Sequence, residues 1–427
     1  MMRSLGTAFA MALLGSAALA TPWPSWRGPN SDQTTPDTGF PLKWSATNQV
    51  RWKVTLPDAG NSSPVVWENK VFLTQATEDG KRRSLLAFDR STGRQLWNQD
   101  VLFEGTDPHH KSNPHCSASP FTDGKRVVAS FASAGILACD LSGKVLWRRD
   151  LGPQRHDWGQ GSSPVIEGDS VLVYHGPGAG SALYALDAAT GATRWTVPLK
   201  EERPAERFDG FAGNSQGQIG TFSTPLVIRA SGRKELLLPV VNKLRAFNPD
   251  TGAELWSVGG MNPLVYSSPT YGEGQIVSMG GFFGAMMILP PGGSGDRTAE
   301  RTIYERRMKR HTIGSPIIHE GHVYLAVTDG FLQCYKLSTG AMLWEERIPA
   351  SGASSQTWAS MVRAGDRLYA MNQSGDTVVF RAAPKFEVLS INSLGEMSNS
   401  TPAFSSGDVF LRTERTLWCV SEQAPAR

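Results

Sequence analysis

Eight times along the chain a short apolar run opens at a fixed point, and seven of those points are a Ser-Pro or Thr-Pro pair. The prolines are Pro64, Pro120, Pro164, Pro225, Pro269, Pro316 and Pro402, and Met361 takes the proline's place in the remaining copy. Behind each, apolar residues run for a few positions, break at a turn such as Glu167-Gly168-Asp169 or Glu320-Gly321-His322, and resume. Pro at the head of a strand sits where no ladder donor is required, and the Gly-containing break is a hairpin. A third apolar stretch, such as Leu85–Asp89, ends in Asp/Ser-Thr-Gly, and a fourth carries Trp97, Trp147, Trp195, Trp256 or Trp344. Gly supplies the positive φ of that turn, and the Asp or Ser side chain bonds its backbone. Each unit therefore reads as a four-stranded antiparallel sheet. The spacing from one opening to the next, 41 to 61 residues, is that of propeller blades, and helical periodicity is missing throughout.

Eight openings predict eight blades. The last unit, from about Asn399, ends at Leu417–Val420 without its Trp strand, while Val50-Arg51-Trp52-Lys53-Val54 is an orphan Trp strand before the first unit. The expectation is an all-β, eight-bladed propeller over 48–427, closed by pairing its N-terminal strand with the last blade. The alternative is seven blades with blade 5 or 7 misread, since in blade 5 Pro290–Gly295 stands where the Trp turn belongs.

The first 20 residues differ. Arg3, an apolar stretch over Ala8–Leu14 and Ala18-Leu19-Ala20 form an export signal cut near Ala20. A periplasmic or extracellular protein is expected, with a Pro- and Trp-containing extension over 21–47. Of the 427 residues 19% are charged and the net charge is +3, which excludes nucleic-acid binding. No later apolar stretch is long enough for a transmembrane helix.

Ala87 to Trp97 and Ala185 to Trp195 both fit Ala-x-Asp-x-x-Thr-Gly-x-x-x-Trp. This repeat resembles that of the pyrroloquinoline-quinone-type propellers, which include quinoprotein dehydrogenases and the propeller lipoprotein of outer-membrane protein assembly. Trp23–Asn30, His110–Cys116, Pro291–Asp296 and Ala383–Val388 are similar to segments of exported quinone-binding-like propellers. In the dehydrogenases the resemblance implies a quinone under a vicinal disulfide, beside calcium held by Glu, Asn and Asp. Here Cys116, Cys139, Cys334 and Cys419 are isolated, and no Cys-x-x-Cys-His haem motif occurs. The expectation is a non-catalytic binding or assembly scaffold without a cofactor. The alternatives are a dehydrogenase using pyrroloquinoline quinone with calcium, and a polysaccharide-binding protein.

Residues just ahead of each opening lead to the mouth of the central funnel: Asn61, Gln160, Thr221, Tyr266, His311, Gln356, Trp358 and Asn399. Most are neutral and polar, which suits a protein segment or a polar small molecule or glycan more than an anion. The loop Asp107–Cys116 holds three of the eight histidines. His110, Asn113 and His115 are read there as hydrogen-bonding groups of a loop folded over the funnel. Zinc is disfavoured because neighbouring His109 and His110 seldom reach one ion. His156-Asp157 is the one His–Asp pair with a general base's pattern, unaccompanied by a nucleophile motif. Gly176–Gly180 and Gly292–Gly295 read as hairpin turns, and Glu305–Arg310 as a solvated edge strand. Trp23, Trp26 and Arg27 are expected to pack on the exterior or an end face. Cys116 and Cys139 share a predicted blade and could pair in an oxidising compartment.

Overall fold

The computed structural model describes residues 21–214 and 216–422, so the export signal expected over residues 1–20 lies outside the described residues. Strands in groups of four form eight sheets arranged about one axis, each antiparallel from its innermost strand outward. Blade 1 runs Val65–Trp67, Lys70–Thr77, Arg82–Asp89 and Gln95–Leu102. The others repeat that order, with inner strands at Phe121–Thr122, Val165–Glu167, Leu226–Ala230, Thr270–Gly272, Ile317–His319, Val362–Ala364 and Ala403–Ser405. Blade 8 takes its outer strand from the other end of the chain, with Val50–Thr55 antiparallel to Thr416–Ser421 and Val54 opposite Leu417. The expected ring closure is thus present.

The Ser/Thr ahead of each opening explains why the motif recurs. The N–H of Ser63 donates to Oγ of Ser119 at 2.8 Å, Ser119 to Ser163 at 3.0 Å, and Ser163 to Thr224 at 3.0 Å. Thr224 donates to Ser268 at 2.8 Å, Ser268 to Ser315 at 3.0 Å, and Ser315 to Ser360 at 2.9 Å. Ser360 donates to Thr401 at 3.0 Å, and Thr401 returns to Ser63 at 2.9 Å. Each bond satisfies a buried N–H that has no strand partner at the blade's inner edge. The circuit closes after eight members, one per blade.

The outer Trp residues join neighbouring blades. The indole N–H groups of Trp52, Trp97, Trp147, Trp195 and Trp344 donate to carbonyls of Arg90, Leu141, Ala188, Pro249 and Ala383 in the next blade. Beneath the first four indoles lie the turn glycines Gly93, Gly143, Gly191 and Gly252, all at positive φ and so close that a Cβ would meet the ring. Trp256 departs from this pattern: its N–H donates within its own blade to buried Glu235, and Arg297 lies over its ring. Blade 5 has no turn for it to dock on, and its outer strand Ile303–Glu305 puts Ile303 over Gly340 instead.

Several local expectations need correction. Gly295–Asp296 is not a hairpin turn but pairs in parallel with Trp256–Ser257, extending blade 4. The basic run is not a solvated edge strand: the strand ends at Glu305, Met308 is buried, and Arg310 is held by Glu345 and Asp329 and covers Phe331. All four cysteines are buried free thiols, so Cys116 and Cys139 are not joined.

Of the two expected positions, exterior or end face, the N-terminal extension takes the end face, across the axis. Trp23 is fully buried and exchanges both backbone bonds with Val66 of blade 1, while Pro24 accepts from Thr122 of blade 2. Buried Arg27 donates to the Pro269 carbonyl and the Thr270 hydroxyl of blade 5. Gln33 reaches the carbonyls of Ser315 and Met361, and Thr34–Thr35 pairs in parallel with Arg363–Ala364 of blade 7. One short segment therefore spans the inner strands of five blades and plugs one end of the channel. Trp44 then packs on Tyr369, and the chain enters the closing strand.

Candidate functional site

With one end plugged, the channel is a blind cavity of about 450 Å³ open at the other end. Strand geometry sets its layers. Where the chain is extended, side chains two positions apart share a side. The residue immediately before each opening belongs to the hydroxyl ring, so the residue three before it faces the axis one layer higher. These are Asn61, Ser117, Gly161, Phe222, Tyr266, Ile313, Trp358 and Asn399, and all eight line the cavity. The intervening positions are small and buried, among them Ser62, Ala118, Ser223, Ser267 and Ala359, where adjacent blades converge. Loops add His110, Asn113, Trp158, Phe211, Phe282 and His311, and Trp26 of the plug completes the lining.

The wall is two-sided. Over blades 4 to 7 the axial layer is Phe222, Tyr266, Ile313 and Trp358. Above it Trp158, Phe211, Phe282, His311 and Tyr266 form a closed circuit of ring contacts, with centroids 5.0 to 6.1 Å apart. These edge-on and offset arrangements hold a rigid aromatic wall. Over blades 8, 1 and 2 the layer is Asn399, Asn61 and Ser117. The amides of Asn61 and Asn399 donate to the Ser112 carbonyl, and that of Asn113 donates to the carbonyls of Trp158 and Gln160. These bonds tie the His110 loop to blades 1, 3 and 8. Among the described residues no Asp, Glu, Lys or Arg lines the cavity.

Of the ten candidate residues, Asn61, His110, Asn113, Tyr266, His311, Trp358 and Asn399 meet in this cavity. The other three do not. Gln160 is buried and turned to the Ser130 hydroxyl, Gln356 is exposed, and His115 lies beside His109 behind the wall, near Arg83 and Asp107. Thr221 is buried and accepts from the Ser223 N–H. The expected polar funnel is therefore polar on one side only. The aromatic side, with Trp158, Phe211, Phe222 and Phe282, was not read from the sequence. Phe222 was within reach, because it stands at the same offset as Tyr266 and Trp358.

Titration in the wall is governed by burial. Loss of solvent holds His311 down to about 4, and Tyr266 is pushed well above the ordinary tyrosine range. Both are neutral at pH 7. His156 is also lowered by burial, and its partners are the Ile219 carbonyl and the Trp158 N–H. Asp157 instead accepts from Gln218, so His156 and Asp157 form no dyad. Among the described residues no cluster of His, Cys, Asp or Glu could hold a metal ion.

The family model described as outer membrane protein assembly factor BamB matches residues 41–201 and 240–425. The chain belongs to this family. As a member of the quinone-type propeller superfamily it is 22% identical to the outer membrane protein assembly factor BamB of Shewanella oneidensis, over 78% of this chain and 88% of the relative. The Yersinia pestis BamB is 20% identical over 69% and 79% of the two chains. The crystal structure of BamB from Moraxella catarrhalis superposes with a TM-score of 0.58 at 13% identity, covering 88% and 98%. A europium-containing methanol dehydrogenase reaches a TM-score of 0.66 at 13% identity, covering 93% and 90%. At such identities these structures share the fold alone, and only the cavity's own residues separate a scaffold from a catalyst. No helix among the described residues is long and apolar enough to cross a membrane.

Proposed function

We propose that this family member is an exported, non-catalytic scaffold for protein assembly at the cell envelope, with its funnel serving as a binding site. The observation that carries the reading is the uncharged lining of the funnel. Pyrroloquinoline quinone is a tricarboxylate, and the dehydrogenases pair it with calcium and a carboxylate base. Among the described residues this funnel offers no Lys or Arg for the quinone and no carboxylate to hold calcium or to act as the base, so its residues do not fit that cofactor. The family's description as an assembly factor supports protein partners. Residues 1–20 support export, with cleavage near Ala20.

The test has two arms. Cross-linking in the intact envelope, followed by affinity capture and mass spectrometry, should return a defined set of envelope proteins. Incubation with pyrroloquinoline quinone and Ca²⁺ should give neither a bound-quinone absorbance nor dye-linked turnover of alcohols or sugars. Turnover would overturn the reading, and so would capture no greater than that of an unrelated exported propeller.

A further inference from the structure

The floor of the funnel holds more hydrogen-bonding capacity than the fold consumes. Each of the eight ring hydroxyls accepts one N–H, yet among the described residues none donates its own proton to a protein acceptor. All eight belong to residues only 2 to 6% exposed, and all line the cavity. The indole N–H groups of Trp158 and Trp358 and the Tyr266 hydroxyl likewise have no protein acceptor there, and His311 Nε2 is buried without a partner. On the opposite side the amide nitrogens of Asn61 and Asn113 are committed to backbone carbonyls, which leaves their Oδ1 atoms as acceptors. A ligand with many donors and acceptors of its own can engage these groups together, which an apolar ligand cannot.

We infer that the funnel binds the terminal one or two pyranose units of a neutral glycan. Four features select that chemistry. The lining carries no charged side chain to pair with an ionic ligand. Polar groups of both senses are dense, matching a ligand whose every hydroxyl both donates and accepts. Aromatic side chains on one side suit the apolar face of a sugar ring, whose slightly positive C–H groups are attracted to a π surface. Finally, the plug of Trp23–Thr35 closes the far end, so a glycan cannot thread through and only a chain end or free saccharide can seat. An apolar peptide side chain would meet the aromatic wall equally well but leave the hydroxyl floor unpaired. The inference rests on the funnel being a binding site, as proposed above, and adds the class of its ligand. No bond is made or broken.

The test uses the full mature chain. Isothermal titration and tryptophan fluorescence are run against neutral disaccharides and tetrasaccharides of gluco-, manno- and N-acetylhexosamine type, with N-acetyltryptophanamide and an aromatic tripeptide as competitors. At least one saccharide series should bind at about 0.01–1 mM, with disaccharide and tetrasaccharide alike because only chain ends enter. Saturation-transfer spectra should show one ring face in contact. Trp358→Ala should weaken binding roughly tenfold or more, and Asn61→Leu should weaken it less. Trp358→Phe, which keeps a ring in place, guards against misfolding of the alanine variant and should retain part of the affinity. The inference is overturned if no saccharide binds, if the peptide binds and the saccharides do not, or if Trp358→Ala and Tyr266→Ala leave saccharide affinity unchanged. Partner capture by Trp358→Ala separates the two readings, because a failed glycan site leaves capture intact, whereas a failed scaffold abolishes it in the wild type.

Discussion

Gly93→Ala tests whether the ring is closed by close approach between a turn and an indole. Gly93 has φ of +74°, and a Cβ built on it would lie 2.6 Å from Cε3 and 2.7 Å from Cδ2 of Trp52. That indole is 8% exposed and donates to the Arg90 carbonyl at 2.8 Å, so it cannot swing away without losing the bond. The left-handed backbone costs a non-glycine residue roughly 1–2 kcal/mol. Displacing a packed ring adds about 1–3 kcal/mol, and the stiffer unfolded chain returns roughly 0.4–1 kcal/mol. The net loss is about 2–4 kcal/mol. In a chain this long 1 kcal/mol moves Tm by only about 1 °C, so the sensitive readout is amide exchange at the closing pair Val50–Thr55 and Thr416–Ser421. Exchange there should accelerate roughly 30- to 900-fold. Gly168→Ala is the control, because Gly168 also has positive φ, +56°, but nothing lies within 4 Å of the place its Cβ would take. It should show the backbone cost less the unfolded-chain return, under roughly tenfold in blade 3. In the Trp52→Ala background the clash is gone, so the two substitutions should be strongly non-additive. A Gly93→Ala effect no larger than the control's, or strict additivity with Trp52→Ala, would refute the docking argument.

Further outcomes follow from the same contacts. Ser268→Ala deprives the Thr224 N–H of its acceptor and should cost about 1–3 kcal/mol in urea unfolding, whereas Ser268→Thr, the residue used at two other ring positions, should be tolerated. His115 and His311 are held down to about 4 by burial, so the folded state binds fewer protons than the unfolded one; stability should be full above about pH 6.5 and fall as pH drops toward 4. His311→Asn should flatten that slope in pH-dependent unfolding. The buried thiols of Cys116, Cys139 and Cys334 are each pushed up to about 12, so a thiol reagent should label none natively and all four cysteines after unfolding. Arg27→Met removes three hydrogen bonds holding the plug, and limited proteolysis should then cut within residues 23–40 while the blades stay protected; simultaneous loss of the blades would contradict an independently seated plug.

The repeat was legible because it is dictated by local chemistry. Proline excludes a donor, glycine accepts positive φ, and tryptophan is large enough to bridge two sheets, so blade number and closure could be read without any long-range information. The funnel was legible only in part, and the reason is strand parity. Residues three before each opening face the axis, and Asn61, Tyr266, Trp358 and Asn399 stand at that offset. Gln160 and Thr221 stand one residue earlier and face away, into the blades. Applying the offset uniformly would have selected Gly161 and Phe222 in their place, and with Phe222 the aromatic side. Phe211 and Phe282 carried no such signal, since they arrive on long loops whose path depends on tertiary packing. The plug was illegible for the same reason, because Arg27 and Gln33 find their partners more than 240 residues away.

Those distant partners give the N-terminal segment a role beyond closure. Residues 23–55 have bonding partners in the inner strands of blades 1, 2, 5, 6 and 7 and in the last strand of blade 8. Few of these contacts are local, so the segment gains stabilisation only after the blades have formed, and the entropy of closing such long loops is offset by many bonds made together. Docking of the plug and pairing of the closing strand are therefore coupled, since one continuous stretch does both. The blind cavity exists only in the closed ring, with Trp26 at its base and the hydroxyl circuit complete. A ligand that fills the funnel contacts residues from every blade and must favour that closed state by its own binding free energy. Binding and ring integrity are two readings of one equilibrium in this fold.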